Sequence, residues 1–254
     1  MKIVFLGTGT SQGVPIIGCD CEVCRSLDYR DKRLRTSACV EVGDKRFIID
    51  TGPDFRQQVL RESISRLDAI LFTHAHRDHT AGLDDIRAFN FKQEMDMPTY
   101  ATTEVLKQLQ TDFAYIFEKQ PYFGLPRLEL HEINSSPFDV GGITIQPLPV
   151  MHLRLPVTGF RIGNFSYITD ANHIPESTLE LLKGTSVLVL NALQIAEHLS
   201  HFNLEQALQI VSAVAPERAY FTHISHRLGL HGAVEKRLPS NVQLAYDGLE
   251  IQCD

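Results

Sequence analysis

The sequence has no tryptophan, only five cysteines among 254 residues, and no excess of positive charge, since its formal net charge is -7 at pH 7. Proteins that coat nucleic acid carry an excess or a cluster of basic residues, so the charge argues against that class. No apolar run reaches the roughly 18 residues that a membrane-spanning helix requires. The apolar start, residues 1–7, meets a glycine too early for a secretory signal. We therefore expect a cytoplasmic protein without a membrane partner.

The remaining composition is that of an ordinary globular protein, with 43% hydrophobic and 22% charged residues. The length allows one large or two small domains. Because no internal repeat, low-complexity tract or proline-serine linker interrupts the chain, we expect a single domain over residues 1–254. One segment rich in proline and glycine, Phe117–Arg127, is predicted to be a surface loop near an opening.

Short β-branched runs alternate with segments of helical periodicity along the whole chain. The predicted strands are Lys2–Leu6, Ala38–Val42, Arg46–Ile49, Ala69–Phe72, Ile143–Leu148, Phe165–Ile168, Val187–Leu190, Ala219–Phe221 and Val242–Tyr246. The predicted helices are Phe55–Arg61, Glu104–Tyr115, Pro175–Leu182 and Leu204–Val214. Short turns join the early strands and helices separate the later ones, which favours two mixed sheets with helices outside, an α/β (α+β) class.

Three of the five cysteines crowd into Cys19-x-Cys21-x-x-Cys24. This spacing is too tight for an independent disulfide framework, whereas thiolates in a reducing compartment are good zinc ligands. We predict a zinc loop at residues 19–24, closed by a fourth ligand, commonly a histidine, from a distant part of the chain. The alternative is a chance cluster of thiols in a loop.

An apolar strand ending at Phe72 runs directly into three histidines and an aspartate: His74, His76, Asp78 and His79. Imidazole and carboxylate together suit Zn, Mn or Fe ions, and one such segment can feed two metals. Three further apolar runs end in residues of the same chemistry, which are His152, Asp170 and His223. Taken singly, His152 and His223 would be read as hydrogen-bonded histidines. Their repeated placement at strand ends predicts a two-metal site.

The order His74-x-His76-x-Asp78-His79, then His152, Asp170 and His223, resembles the signature of the metallo-β-lactamase fold superfamily. The resemblance implies an αββα sandwich with two divalent ions, Mn or Zn, at the mouth between the sheets. One ion would be held by His74, His76 and His152. The other would be held by Asp78, His79 and His223, with Asp170 as a bridge.

Two further features resemble the PhnP-type cyclic phosphodiesterase branch of that superfamily. The glycine-rich opening Phe5–Pro15 is similar to the start shared by its phosphodiesterases, including the tRNA 3'-end processing endonucleases. The cysteine triad resembles the structural zinc site of the PhnP-type enzymes, whose fourth ligand follows the last catalytic-site histidine by three positions. His226 stands there, three residues after His223, so the resemblance implies that it completes the structural zinc site.

Residues other than the ligands are also implied by the branch. His201 matches a non-ligand histidine that contacts the scissile phosphate or protonates the leaving group, with His198 as a weaker candidate. Asp78 would both bind metal and orient the attacking hydroxide. An anionic substrate also needs a fixed cation, and Arg154 is the candidate anchor.

The leading prediction is a metal-dependent phosphodiesterase that opens a small cyclic phosphate, 5-phosphoribosyl 1,2-cyclic phosphate or a related ester, by a metal-activated hydroxide. The alternatives are a tRNA 3'-end processing endonuclease and a thioester or lactone hydrolase on the same dinuclear site. The acidic balance and the weakly basic insertion Gln110–Arg127 argue against the nuclease. An apolar pocket without phosphate anchors would favour the thioester reading. The expected partner is a small phosphorylated molecule, and the oligomeric state stays open, a homodimer included.

Overall fold

A computed structural model describes residues 1–118 and 124–253 of the chain. The strands in these residues, β1 to β14 in chain order, are Lys2–Gly7, Ser37–Val42, Lys45–Ile49, Ala69–Leu71, Met97–Ala101, Leu128–Glu132, Phe138–Val140, Ile143–His152, Leu155–Ile162, Phe165–Tyr167, Val187–Asn191, Arg218–Thr222, Val242–Leu244 and Glu250–Gln252. The helices, α1 to α8, are Glu22–Arg25, Phe55–Arg61, Arg77–Thr80, Arg87–Gln93, Thr103–Asp112, Glu176–Leu182, Leu204–Val214 and His231–Glu235. Short 3-10 turns lie at Tyr29–Asp31, Leu83–Ile86, Ala114–Ile116 and His226–Leu228.

The strands form two seven-stranded sheets. The first has the order β14-β1-β2-β3-β4-β5-β6, antiparallel from β14 to β3 and parallel from β3 to β6. The second has the order β13-β12-β11-β10-β9-β8-β7, parallel from β13 to β10 and antiparallel from β10 to β7. Both sheets are therefore mixed, as the sequence predicts.

Three layers of buried apolar side chains separate the sheets and helices. Residues of both sheets, among them Phe47 and Phe160, fill the space between them. Val59 of α2 packs in a cluster on the outer side of the first sheet, and Val211 of α7 packs in one on the outer side of the second. Helix, sheet, sheet and helix follow one another, so the αββα sandwich is confirmed. Because both faces of each sheet are covered, inner strands read as near-continuous apolar runs.

The helices predicted at Phe55–Arg61 and Leu204–Val214 have the predicted bounds. The helix predicted from Pro175 begins one residue later, because Pro175 is extended and acts as its N-cap. The hydrophobic pattern of the sequence did not predict β5, β6, β7, β9 or β14. Proline or glycine interrupts β5 and β9, and β8 runs beyond its predicted end through Pro147 and Pro149. Over residues 146–150, β8 pairs with β9 alone, so Pro147 and Pro149 lie in a stretch with one open side, where proline is tolerated.

The loop predicted near an opening is described only at its flanks, since residues 119–123 lie outside the described part of the chain. Phe117 and residues 124–128 line a cavity of about 590 Å³ together with residues of α4. Within residues 1–118 and 124–253, no helix is both long enough and apolar enough to cross a bilayer.

Five strands end at one edge of the sandwich with a polar residue. Asp50 follows β3, His74 lies shortly after β4, His152 ends β8, Asp170 lies shortly after β10, and His223 follows β12. Three of these residues, Asp50, Asp170 and His223, have φ values of 63°, 54° and 54°, in the left-handed region that side chains avoid. Such backbone strain concentrates at functional sites, and here it turns the chain sharply where each strand stops.

Gly52 and Gly82 let two of these strand-end loops touch backbone to backbone. A Cβ atom on Gly52 would lie 2.2 Å from the carbonyl oxygen of Asp78. We predict that Gly52→Ala lowers the free energy of unfolding by about 2 kcal/mol or more, because the clash is with backbone that cannot move aside. Chemical denaturation measures the change. Gly232→Ala in α8 is the control: its Cβ would make only an ordinary contact with the Arg30 side chain, so equal destabilisation by both variants would contradict the prediction.

Candidate metal centre

The structure brings the predicted histidine and aspartate residues together at the mouth between the sheets. His74, His79 and Asp170 offer potential ligand atoms that all lie within 4.8 Å of one another. His152, Asp170 and His201 form a second such group. Asp170 belongs to both groups, so its carboxylate lies between two positions at which a cation could bind.

The other predicted ligands surround these two groups. The His76 ring lies with its centroid 4.6 Å from that of His74 and 5.3 Å from that of His152. Asp78 places Oδ2 3.3 Å from His79 Nε2. His223 places Nδ1 3.2 Å from Oδ2 of Asp170. All seven residues predicted for the dinuclear site therefore lie in one contiguous cluster.

Three imidazole nitrogens in this cluster are buried without a hydrogen-bond partner among the described residues. They are Nε2 of His74, Nε2 of His79 and Nδ1 of His201. Buried polar atoms are nearly always paired, and a bare imidazole nitrogen beside carboxylates is the donor that zinc or manganese takes. The side chains present thus fit divalent cations at this mouth.

Hydrogen bonds hold the ring nitrogens that face away from the mouth, the Nδ1 atoms of His74, His79 and His152. His79 donates from Nδ1 to Oδ2 of Asp50 over 2.7 Å, and Thr73 donates to the same carboxylate from its amide and its hydroxyl. The Thr73 hydroxyl oxygen in turn lies 2.9 Å from His74 Nδ1, which donates to it. His152 donates from Nδ1 to the carbonyl oxygen of Ser200 over 2.7 Å. These bonds orient the Nε2 atoms into the mouth, as carboxylate and carbonyl partners do for metal-binding histidines.

Asp50 was missed by the sequence reasoning, although its side chain is completely buried. The signal was present, because Phe47-Ile48-Ile49 is an apolar strand that ends in a carboxylate, the same pattern that marked Asp170. The sequence does not show that Asp50 faces a histidine rather than solvent, since that contact joins β3 to the loop after β4.

The cluster attracts positive charge. Burial alone would lower the pKa of His79, but nearby carboxylates outweigh burial and raise it well above its usual value; these are Asp170, Asp50 and Asp78. Burial likewise would raise the pKa of Asp170, yet His223 and His79 hold it well below its usual range. The carboxylate of Asp170 therefore stays ionised although it is buried, and it requires cations, which divalent metal ions supply.

His201 lies inside the cluster with 8% of its surface exposed. Its ring centroid is 4.5 Å from that of His152 and 4.8 Å from that of His223. Burial, together with the neighbouring His223, lowers the pKa of His201 to about 3. The ring is therefore neutral near pH 7 in this state, and its predicted role as an acid depends on negative charge arriving beside it.

Arg154 lies at the tip of the hairpin between β8 and β9, two residues after His152, and is exposed. Its side chain forms no hydrogen bond or ion pair with any residue in 1–118 or 124–253. The guanidinium therefore remains available to an anion.

The cysteine triad and His226 meet although they are about 200 residues apart. His226 Nδ1 lies 3.4 Å from the sulfur of Cys19, 3.2 Å from that of Cys21 and 3.6 Å from that of Cys24. A tetrahedral zinc ion with bonds of about 2.3 Å to sulfur and about 2.0 Å to nitrogen separates those atoms by roughly 3.5 Å. The four side chains therefore match the spacing of a closed Cys₃His site.

Backbone N–H groups donate hydrogen bonds to two of the cysteine sulfurs, which favours the thiolate form of each. Cys24 donates its N–H to the Cys21 sulfur, which lowers the pKa of Cys21 to about 6. Burial raises the pKa of Cys24 to about 11, although the Ile16 N–H donates to its sulfur. Ile224, two residues before His226, exchanges backbone hydrogen bonds with Thr8 and Thr10, so the segment after His223 is also joined to the residues that follow β1.

Comparison with known proteins shows the family to which the fold and the histidine and aspartate cluster belong. A family model described as a beta-lactamase superfamily domain matches residues 45–224. The chain belongs to the metallo-β-lactamase fold superfamily. The crystal structure of a diphosphatase from the PhnP family superposes with a TM-score of 0.93 at 39% identity, over 100% of this chain and 98% of that one. This likeness confirms the PhnP-type branch, and the metallo-β-lactamase fold implies divalent metal ions.

Two curated relatives carry other names. An octanoyltransferase of Porphyromonas gingivalis is 42% identical over 257 residues, which cover 100% of this chain but 52% of that protein. A ribonuclease Z of Mycobacterium sp. is 26% identical over 182 residues, 64% of each protein. The chain thus spans about half the length of the first relative and under two thirds of the second.

The sulfur cluster yields a prediction that is separate from the mouth. Cys21→Ser should remove one zinc equivalent and lower the unfolding temperature, because a structural zinc site contributes directly to folding free energy. Elemental analysis and calorimetry measure both effects. Cys39→Ala is the matched control, since this buried core thiol is outside the cluster and its loss should leave the zinc content unchanged. Undiminished zinc in the Cys21 variant would contradict the assignment.

Proposed function

We propose that the protein hydrolyses a phosphodiester in a small phosphorylated substrate, with 5-phosphoribosyl 1,2-cyclic phosphate as the specific candidate. The observation that carries the proposal is that the buried carboxylate of Asp170 lies beside imidazoles from both sheets, among them His79, His152 and His223. Two cations bound by these side chains would neutralise both the attacking and the leaving oxygen of a phosphate, as is typical of phosphoryl chemistry.

We propose the division of ligands that the family resemblance implies. One ion would be held by His74, His76 and His152, and the other by Asp78, His79 and His223, with Asp170 as a ligand available to both. Mn and Zn both suit this donor set. When bound, these ions lower the pKa of water and polarise the phosphorus–oxygen bonds.

The chain itself supplies proton transfer and anion binding. Hydrolysis leaves negative charge on the departing oxygen, which a positioned imidazole can neutralise with a proton. His201 is the residue for this role. A phosphate in the mouth places negative charge beside the ring, and that raises its pKa from the low value that burial imposes. Arg154 pairs with a further phosphate oxygen at the hairpin tip. Asp78 orients the attacking water in addition to its place as a ligand.

A second candidate is hydrolysis of a diphosphate linkage. It is favoured by the name of the superposed crystal structure, a diphosphatase, at 39% identity over nearly the full length of both chains. The same residues serve both reactions, since the leaving group changes from a sugar oxygen to a phosphate oxygen and the attacked atom remains phosphorus.

The names of the curated relatives give the phosphodiesterase proposal less support than the diphosphatase structure does. A ribonuclease Z also cleaves a phosphodiester, but the net charge of -7 argues against a large nucleic acid as the substrate. Part of the candidate insertion at 110–127, residues 119–123, lies outside the described residues. The name octanoyltransferase belongs to a protein about twice as long as the matched segment.

A phosphorus NMR time course with the metal-reconstituted protein tests the proposal. We predict that the cyclic diester resonance of 5-phosphoribosyl 1,2-cyclic phosphate is lost and that a second phosphomonoester resonance appears. His201→Ala should slow this conversion by about 100-fold or more, the usual contribution of a general acid.

His131→Ala is the matched control, because this partly exposed histidine stacks on Tyr100 in the first sheet, outside the cluster. It should retain the wild-type rate. Absence of turnover with both metal positions filled would overturn the cyclic phosphate as substrate. Release of phosphate from a small diphosphate under the same conditions would then select the second candidate.

A further inference from the structure

We propose that three leucines at the mouth, Leu153, Leu155 and Leu199, bind an apolar group carried by the substrate. These residues are called the leucine rim below. The inference rests on the proposed function and extends it: beside a sugar phosphate, the site accepts phosphodiesters that carry an alkyl or aromatic group, and it binds them more tightly as that group grows.

Leu153 and Leu155 are placed by the hairpin that ends at His152. The turn after β8 consists of Leu153 and Arg154, and β9 begins with Leu155. Leu155 pairs directly with His152 across the hairpin. Directly opposed residues of antiparallel strands point to the same face, so the Leu155 side chain stands on the face where His152 enters the cluster.

Leu199 is tied to the same point by Asn172. The side-chain amide of Asn172 donates from Nδ2 to the Leu199 carbonyl oxygen over 3.0 Å, and its Oδ1 accepts the N–H of Leu153 over 2.7 Å. The next residue, Ser200, accepts the hydrogen bond from His152 Nδ1. Both leucine-bearing loops are thus fixed by hydrogen bonds to each other and to His152.

The side chains of the leucine rim are exposed to solvent and do not pack in the hydrophobic core. The exposed fractions of Leu153, Leu155 and Leu199 are 57%, 37% and 82%. Leu153 moreover has a φ of 57°, in the left-handed region where a bulky side chain costs free energy and where glycine or asparagine fits easily. A strained, solvent-facing leucine contributes nothing to the core. Its presence beside the cluster is accounted for by contact with a ligand.

The geometry favours the substrate over a second protein chain as the occupant. Three partly exposed leucines fall well short of the roughly 800 Å² per partner that a stable interface buries. Arg154 lies between Leu153 and Leu155 and has no partner among the described residues. An apolar surface with one available cation, next to the cluster, fits a phosphate that carries an apolar substituent.

The test uses p-nitrophenyl alkyl phosphates from methyl to butyl, with nitrophenol release followed on the metal-loaded protein. We expect kcat/KM to rise by about fivefold or more along the series, a fraction of what full burial of the added methylenes would give. In Leu153→Asn the rise should disappear while the unfolding temperature stays equal or increases, because asparagine accepts the left-handed conformation. Leu27→Asn is the matched control, since Leu27 is fully exposed on the segment between the cysteine loop and β2.

A second readout separates failure of this inference from failure of the proposed function. Calorimetric titration with methylphosphonate and butylphosphonate should show the same length dependence in binding affinity, again lost in Leu153→Asn and kept in Leu27→Asn. If no ester is hydrolysed but this dependence holds, the rim stands and the phosphodiesterase proposal fails. If hydrolysis and affinity are both independent of chain length, or if Leu153→Asn converts a dimer into a monomer by light scattering, the rim does not bind substrate.

Discussion

The structure depends on one constraint: the carboxylate of Asp170 must stay ionised although it is buried. It lies 3.2 Å from His79 and 3.2 Å from His223, and it belongs to both groups of potential ligand atoms. An unpaired buried charge is strongly destabilising, so neighbouring cations or protonated imidazoles are required. The surrounding histidines, and the divalent ions that the fold implies, meet that requirement and at the same time make the mouth chemically useful.

The αββα architecture provides the positions that this constraint needs. Strand ends from both sheets meet at one edge, so Asp170, which follows β10, lies between residues that follow β4 and β12. Sharp left-handed turns at Asp50, Asp170 and His223 stop each strand at the mouth. Asp50 and Thr73 then fix the imidazole rings from behind. The Cys₃His cluster joins the loop of residues 19–24 to the segment after His223, and this contact fixes the position of one edge of the mouth.

Residues with distinctive chemistry were predictable from the sequence. His74 to His79, the cysteine triad and the strand-end pattern led to the correct sandwich, and the predicted ligands lie together in the structure. Asp50 was not predicted, because its partner His79 is 29 residues away and the contact depends on how β3 packs beside β4. Strands β5 and β9 were missed since proline or glycine weakens their local signal and pairing with neighbours supplies the stability. The leucine rim is likewise invisible in sequence, where Leu153 reads as one more apolar residue.

Metal content of Asp170→Ala tests the central claim most directly, because both proposed ions share this carboxylate. After saturation and removal of free metal, we expect about three ions per wild-type chain, two at the mouth and one at the cysteine cluster. The variant should keep only the ion at the cysteine cluster. Retention of two or three ions by a folded Asp170→Ala protein would contradict the account of a shared carboxylate.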